Sequence, residues 1–360
     1  MGGDHQPEII CDLGTAYDLF ISQAVLLKPD HFGLRASWAA GVRSRVPAEE
    51  RKVLEDANLI IGAPLPWIYN LPEPKDSATA LWFLGQIPPI ERLPSVSFCC
   101  GELDEIGQIL KDIAARRTWN EGDLDALRGA FRSKKHSPNQ KELARIVEWW
   151  SRPDEFGDLY LAALRTYHQV FFAEEEERIL PALKAALERA QELASRLEFI
   201  DLIEELSQGL HFPGLADLSE LILTPSYWCT PLVFFEDFGE KRMVMTFGGR
   251  PGEASLIPGE AVPDALLRAL KAMADPTRLR IMRYLVEEPL TPAQLSRLLR
   301  LRPPTVIHHL NELRLAGLVH VILEEGSEKR YTVRTEMLKN TFVNFEDYLA
   351  PGERPLEGGY

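Results

Sequence analysis

Apolar residues recur at helical spacing through most of the chain before residue 217, give way to β-prone runs up to residue 250, and return to helical spacing from residue 263. An opening run at 7–13 alternates weakly and reads as a strand. Residues 15–27 then read as a helix with Ala16, Leu19, Phe20, Gln23 and Leu27 along one side. Further helical patterns cover 32–45, 47–59 and 77–85, separated by Pro-rich loops. One of these loops holds Trp67, Ile68 and Tyr69 between prolines, where they staple it to a core or wall a pocket. The stretches 101–117, 121–131, 137–150 and 155–172 are helical in character as well. The acidic run 174–177 precedes Pro181, which predicts one helix ending there and another starting. Acid in a first turn suits the helix dipole, a better account of that run than a metal site. Leu183, Leu187, Ala190, Ala194 and Leu197 form a stripe for packing on another helix.

Between 217 and 250 the runs LSELILTPS, CTPLVFFED and KRMVMTFGG are separated by turn residues and predict a short antiparallel meander. A Gly- and Pro-rich stretch at 251–262 reads as a linker. The segment ADPTRLRIMRYL then offers Asp275 as an N-cap, Pro276 at the first helical position, and Leu279, Met282, Leu285 and Val286 as an apolar face. Thr291 caps TPAQLSRLLR, with Leu295, Leu298 and Leu299 expected inward, and PPTVIHHLNELRLAGLV is a helix closed by Gly317. Residues 319–323 and 330–334 (RYTVR) make a hairpin, and 335–349 a final helix. Two short helices joined by a tight turn, followed by a hairpin, describe a winged helix-turn-helix. The expected fold is mostly α with small β: a helical N-terminal domain (1–216), the meander (217–250), the linker (251–262), and the winged helix-turn-helix with flanking helices (263–349).

ADPTRLRIMRYL, the PTVIHHLNELRLAGLV run and the KRYTV strand occur in the order and at the separations of the ArsR-type winged-helix regulators, which residues 265–334 resemble. The preceding TPSYWCTPLVFF also resembles ArsR-type proteins that carry a large N-terminal domain of unassigned role. The resemblance implies duplex DNA as partner, a homodimer built on the helices at 262–273 and 335–349, and commonly repression. It also implies that His309, which matches the family's recurring His before Leu, packs inside the motif. The family commonly has Ser where Ile307 stands and a polar residue near Pro303, so this chain departs from the pattern at the groove.

On the third helix, Val306, Leu310 and Leu313 should face the core, which leaves Pro304, Thr305, Ile307, His308 and Asn311 toward the groove. His308 suits a base edge, Asn311 suits adenine, and Ile307 and Thr305 suit a thymine methyl. Arg300, Arg302, Lys329 and Arg330 complete the candidate DNA-binding set as cations for phosphate. Adjacent His308 and His309 lie about 100° apart on a helix, a poor arrangement for one metal ion.

Charge sharpens this reading. The chain carries −14, but residues 263–334 hold twelve Lys/Arg against eight Asp/Glu, so that segment is +4 and the remainder −18. A local cationic face on an acidic body fits specific DNA binding and disfavours non-specific coating of nucleic acid. The four cysteines are too few for a disulfide framework, no apolar run is long enough to span a membrane, and the N-terminus lacks a secretory pattern. A cytoplasmic protein is expected. Both metal-ligand patterns of the resembled family are missing, so no cofactor is expected. Cys99 and Cys100 are weak candidates for a soft ion, with plain packing the commoner role of such a pair. No glycine-rich phosphate loop, Gly-x-Ser-x-Gly or His-Glu-x-x-His motif marks an enzyme. The expectation is therefore a regulator whose N-terminal domain senses a small-molecule effector, dimerises, or both. The alternative is an enzyme or protein-interaction module in which the winged helix is only a docking element.

Overall fold

The computed structural model describes residues 6–32, 34–99, 103–132, 137–237, 239–252, 254–257, 262–323 and 328–349. In chain order the elements are β1 (Glu8–Cys11), α1 (Thr15–Leu27), α2 (Ala36–Arg43), α3 (Ala48–Ile60), α4 (Leu65–Tyr69), α5 (Ser77–Gln86), α6 (Pro89–Ser97), α7 (Glu105–Arg116), α8 (Glu121–Phe131), α9 (Gln140–Trp150), α10 (Pro153–Tyr167) and α11 (Ala173–Ala194). There follow α12 (Phe199–Leu206), β2 (Leu210–His211), β3 (Glu220–Ser226), β4 (Phe235–Asp237), β5 (Arg242–Gly248), α13 (Asp264–Met273), α14 (Pro276–Glu287), α15 (Pro292–Leu299), α16 (Pro303–Leu315), β6 (Val319–Ile322), β7 (Arg330–Val333) and α17 (Thr335–Leu349). The mostly helical class with small sheets is as the apolar pattern implies. The chain divides into two units: residues 1–196 with 216–250, and residues 197–215 with 251–360.

That division moves the expected boundary. Residues 197–215, read as the end of the helical domain, belong to the second unit, because β2 pairs in parallel with β6 and α12 packs on β2. The stretch expected as a linker also joins that unit, with Leu256 fully buried and its amide donating to Asp264 Oδ2 at 3.0 Å.

In the first unit the β-rich runs do form strands, but not an antiparallel meander. The sheet order is β1–β3–β5–β4; β1, β3 and β5 run parallel, and only β4 and β5 are antiparallel. Strand β3 pairs with β1, over two hundred residues away, on one edge and with β5 on the other, and α1 and α11 pack on it, so Leu221, Ile222 and Leu223 are all buried. Helix α1 is buried all round instead of along one side, since it packs against α2, α3, α5, α11 and β3. The Pro-rich loop folds into α4, where Trp67 meets Phe20 edge-on at 6.2 Å, so it is stapled to the core.

Pro181 does not break the helix. From α10 the chain runs through a single π-helical stretch (His168–Phe172) directly into α11, with Pro181 inside it. Buried Ile179 and Leu183 flank the exposed proline, and their packing outweighs the lost backbone hydrogen bond. Residues 174–177 are therefore not a free helix start. Glu176 reaches other helices: its carboxylate accepts from the Ser77 amide at 2.8 Å and from the hydroxyls of Ser77 and Thr15. Glu175 accepts from Trp228 Nε1 at 3.1 Å and pairs with Arg178. Of the expected stripe, Leu183 and Ala190 are buried, whereas Leu197 lies beyond the helix end and is exposed.

Carboxylates organise this core. Asp18, fully buried, accepts from Ser226 Oγ and from the Tyr227 and Trp228 amides at 2.8 and 3.2 Å, holding the chain as it leaves β3. Asp12 accepts from Lys75 Nζ at 2.6 Å and from the Tyr17 hydroxyl at 2.5 Å. Asp56 takes Trp149 Nε1 at 2.8 Å and pairs with Arg145. The tryptophans also sit in packing or on the surface. Trp67 and Trp150 are buried, Trp38 stacks on Trp228, Trp119 donates to Glu148, and Trp82 is exposed. None of these lines the cavity of about 30 Å³ bounded by Gln23, Leu26, Leu27, Val46, Leu54 and Tyr167 with Arg43 and Arg51. Such a volume suits a water molecule.

Candidate nucleic-acid interface

The second unit builds its surface from locally terminated helices. Asp275 caps α14 through the Thr277 and Arg278 amides at 2.8 and 2.9 Å, with Pro276 at the first position. Thr291 and Gln294 form a reciprocal capping box at the start of α15. Helix α16 ends in a Schellman closure. Gly317 adopts φ +69°, its amide donates to Arg314 O, and the Leu318 amide donates to Leu313 O.

Burial sorts α16 as its spacing implies. Val306, Leu310 and Leu313 are buried, while Pro304, Thr305, Ile307, His308 and Asn311 are exposed along the opposite face. Ile307 is 45% exposed, a branched apolar side chain left in solvent. Two helices differ from expectation. On α14 the buried residues are Ile281, Met282 and Leu285, and Leu279 and Val286 are 51% and 65% exposed; on α15 Leu298 is exposed and Ser296 is buried. A helix buries only the side that meets α13, α15, α16 and the hairpin, and an apolar list cannot say which members fall there.

The candidate cations separate into two kinds. Arg300 and Arg302 are both exposed in the turn between α15 and α16. Arg300 holds φ +56°, a left-handed conformation that favours glycine. Arg330, on the hairpin, donates to Pro289 O at 3.1 Å and is half-buried, so part of its capacity is spent inside the unit. Lys329 is also half-buried, and residues 324–327 between the strands lie outside the described residues. Burial holds the Arg268, Arg314 and Arg334 guanidinium groups below the usual arginine range. Three charges of the +4 segment thus lie in packing. The exposed cations include Arg280, Arg283 and Arg297 besides Arg300 and Arg302. Arg297 stands in the last turn of α15, three residues before Arg300.

His309 turns inward, 14% exposed, its Nδ1 4.0 Å from Asp275 Oδ1, and burial lowers its pKa. Its ring centroid lies 5.7 Å from that of exposed His308. Among the described residues no group of three His, Cys, Asp or Glu is placed to hold a metal ion. Cys99 is exposed, and Cys100 lies outside the described residues. No described helix is long and apolar enough to cross a membrane.

Flanking helices α13 and α17 pack on each other. Among described residues of α17 only Thr341 is buried, while Phe342 and Leu349 are 55% and 62% exposed.

A search of curated proteins gives no match to the chain. Residues 275–321, from the cap of α14 into β6, match the family described as bacterial regulatory protein, arsR family. The second unit therefore carries an arsR-family helix-turn-helix domain, the DNA-binding element of such regulators, and the first unit lies outside that match.

Proposed function

We propose that the protein is a transcriptional regulator, a repressor acting as a homodimer, that binds duplex DNA through α16 and takes its signal through the first unit. The observation that carries this reading is the exposed row Thr305, Ile307, His308 and Asn311 beside Arg300 and Arg302, on a domain that matches DNA-binding regulators. Thr305 and Ile307 meet thymine methyls, Asn311 pairs with adenine, and His308 contacts a base edge; Arg300 and Arg302 take phosphates. Arg297 extends that phosphate row. Dimerisation covers the exposed apolar residues of α17, as in the family this domain resembles. The signal is a small molecule acting on the first unit, since neither family metal pattern occurs in α15 or α17. The role is regulatory, not catalytic, and its place is the cytoplasm.

Selection from a random duplex pool at low salt tests this directly. A single enriched site is expected, bound by two chains of 40.7 kDa each, with affinity falling steeply as salt rises. His308→Ala should relax discrimination between sites, whereas Arg302→Ala should weaken all sites alike. Failure to enrich any sequence overturns the reading.

A further inference from the structure

The hairpin of the helix-turn-helix unit carries a strand that its own sequence does not supply. Strand β7 pairs with β6 on one edge and bridges to Leu290 on the other. The remaining edge of β6 would lie open, and β2 closes it. The Val321 and Leu323 amides donate to the Gly209 and His211 carbonyls at 2.9 and 3.0 Å. Gly209 has φ +103°, and a Cβ there would stand 2.7 Å from Arg334 Cδ. The left-handed φ favours glycine, and a side chain there would also push on buried Arg334.

Side chains hold this strand at one point. Glu204, on α12, places Oε2 3.0 Å from Nδ1 of His211 on β2. Its other oxygen lies 2.9 Å from Nδ1 of His320 on β6. The His320 nitrogen is buried and not aligned for a hydrogen bond, so that contact is electrostatic. One carboxylate thus joins both strands. The charged groups around it are Glu205 on α12, Arg334 after β7 and Glu336 on α17; from α16, Arg314 interacts with Tyr331 on the hairpin. Residues 197–215 are continuous on both sides with segments of the first unit.

We propose that Glu204, His211 and His320 are positioning residues that clasp β2 to the hairpin and so hold it for DNA, and that protonation of His320 in mild acid opens the clasp. This rests on the DNA-binding reading above. Burial, the larger cause, holds the His320 imidazole below its ordinary range, against the pull of Glu204, and Arg334 adds to the depression. A depressed histidine contributes stability above its unfolded pKa and loses it as pH falls through the folded value. The clasp is therefore closed at neutral pH and opens below the ordinary histidine range.

The test measures affinity of the full chain for its selected duplex from pH 8 to pH 5 at fixed ionic strength, alongside hydrogen exchange of the Val321 and Leu323 amides. Wild type should lose at least tenfold in affinity toward pH 5, with both amides losing protection over the same interval. His320→Asn should abolish that acid step. Glu204→Gln should weaken binding severalfold at pH 8 and move the step to lower pH, and Glu204→Asp should restore much of the wild-type profile. If DNA binding is flat or tightens in acid and the two amides stay protected, the clasp proposal is overturned. If no duplex binds at any pH, the DNA reading fails instead, and exchange still decides the clasp. Where a variant fails to fold, the wild-type exchange profile is decisive.

Discussion

Both units cap helices locally, but the first unit adds carboxylates that act from far along the chain. In the helix-turn-helix unit the caps are local: Asp275 acts on residues two and three positions ahead, Thr291 on Gln294, and Gly317 closes its own helix. The first unit has such local caps too, at Asp76, Asp104, Asn120 and Asn139, but further acceptors come from far along the chain. Asp18 holds Ser226 from 208 positions away, Glu176 reaches Ser77 across 99, and Asp12 meets Lys75 across 63. A local cap stabilises its helix before the rest of the unit forms, whereas a distant carboxylate acts only once the core has assembled. Loss of a local cap should weaken one helix end, whereas loss of a distant carboxylate should weaken the core it joins.

The largest test of this contrast is Asp18→Ala. It leaves two backbone amides and a serine hydroxyl buried without their acceptor, and should cost about 3–5 kcal/mol of unfolding free energy, read by denaturant titration. Burial pushes Asp18 up to about 7. Its folded pKa is thus raised above the unfolded value, so its contribution is complete below the ordinary carboxylate range and declines as pH rises through 7. Between pH 6 and pH 8 the first unit should lose on the order of 1 kcal/mol from this group, and Asp18→Asn should remove that slope. A pH-independent difference between the two proteins would contradict the assignment.

Gly317→Ala probes the local kind. A Cβ there would meet nothing closer than 3.9 Å, so the cost is conformational alone, about 1–2 kcal/mol. Unfolding of the second unit should shift while that of the first does not, which differential scanning calorimetry can separate.

Arg300→Gly is the smallest and the most pointed. Relief of the left-handed conformation should stabilise the second unit by about 1 kcal/mol, while DNA binding should weaken at every site if Arg300 takes a phosphate as proposed. Stability and affinity moving in opposite directions would show that this arginine is held against its backbone preference for the sake of the nucleic acid. Unchanged affinity would assign it to the fold alone.

Much of the helix-turn-helix was legible from the residues themselves: its caps, its closing glycine, and the split of α16 between Val306, Leu310 and Leu313 inward and Ile307, His308 and Asn311 outward. These features act over one or two turns, and the physics of capping and helical period operates at that range. The outward placement of Leu279, Val286 and Leu298 was not legible, because an apolar helix face is chosen by its neighbours. Nor was the continuity of α11 through Pro181, where buried side chains on either side override the local break. The parallel pairing of β1 with β3, the transfer of residues 197–215 to the second unit, and the meeting of His211 and His320 on Glu204 each join residues far apart in the chain. Local periodicity carries no record of which distant edge a strand will find. Segment by segment, the sequence by itself determined where most helices begin and end and which side chains of α16 stay out of the core. Only the tertiary structure decided which strands pair and which charges are buried, since both depend on the desolvation that packing imposes.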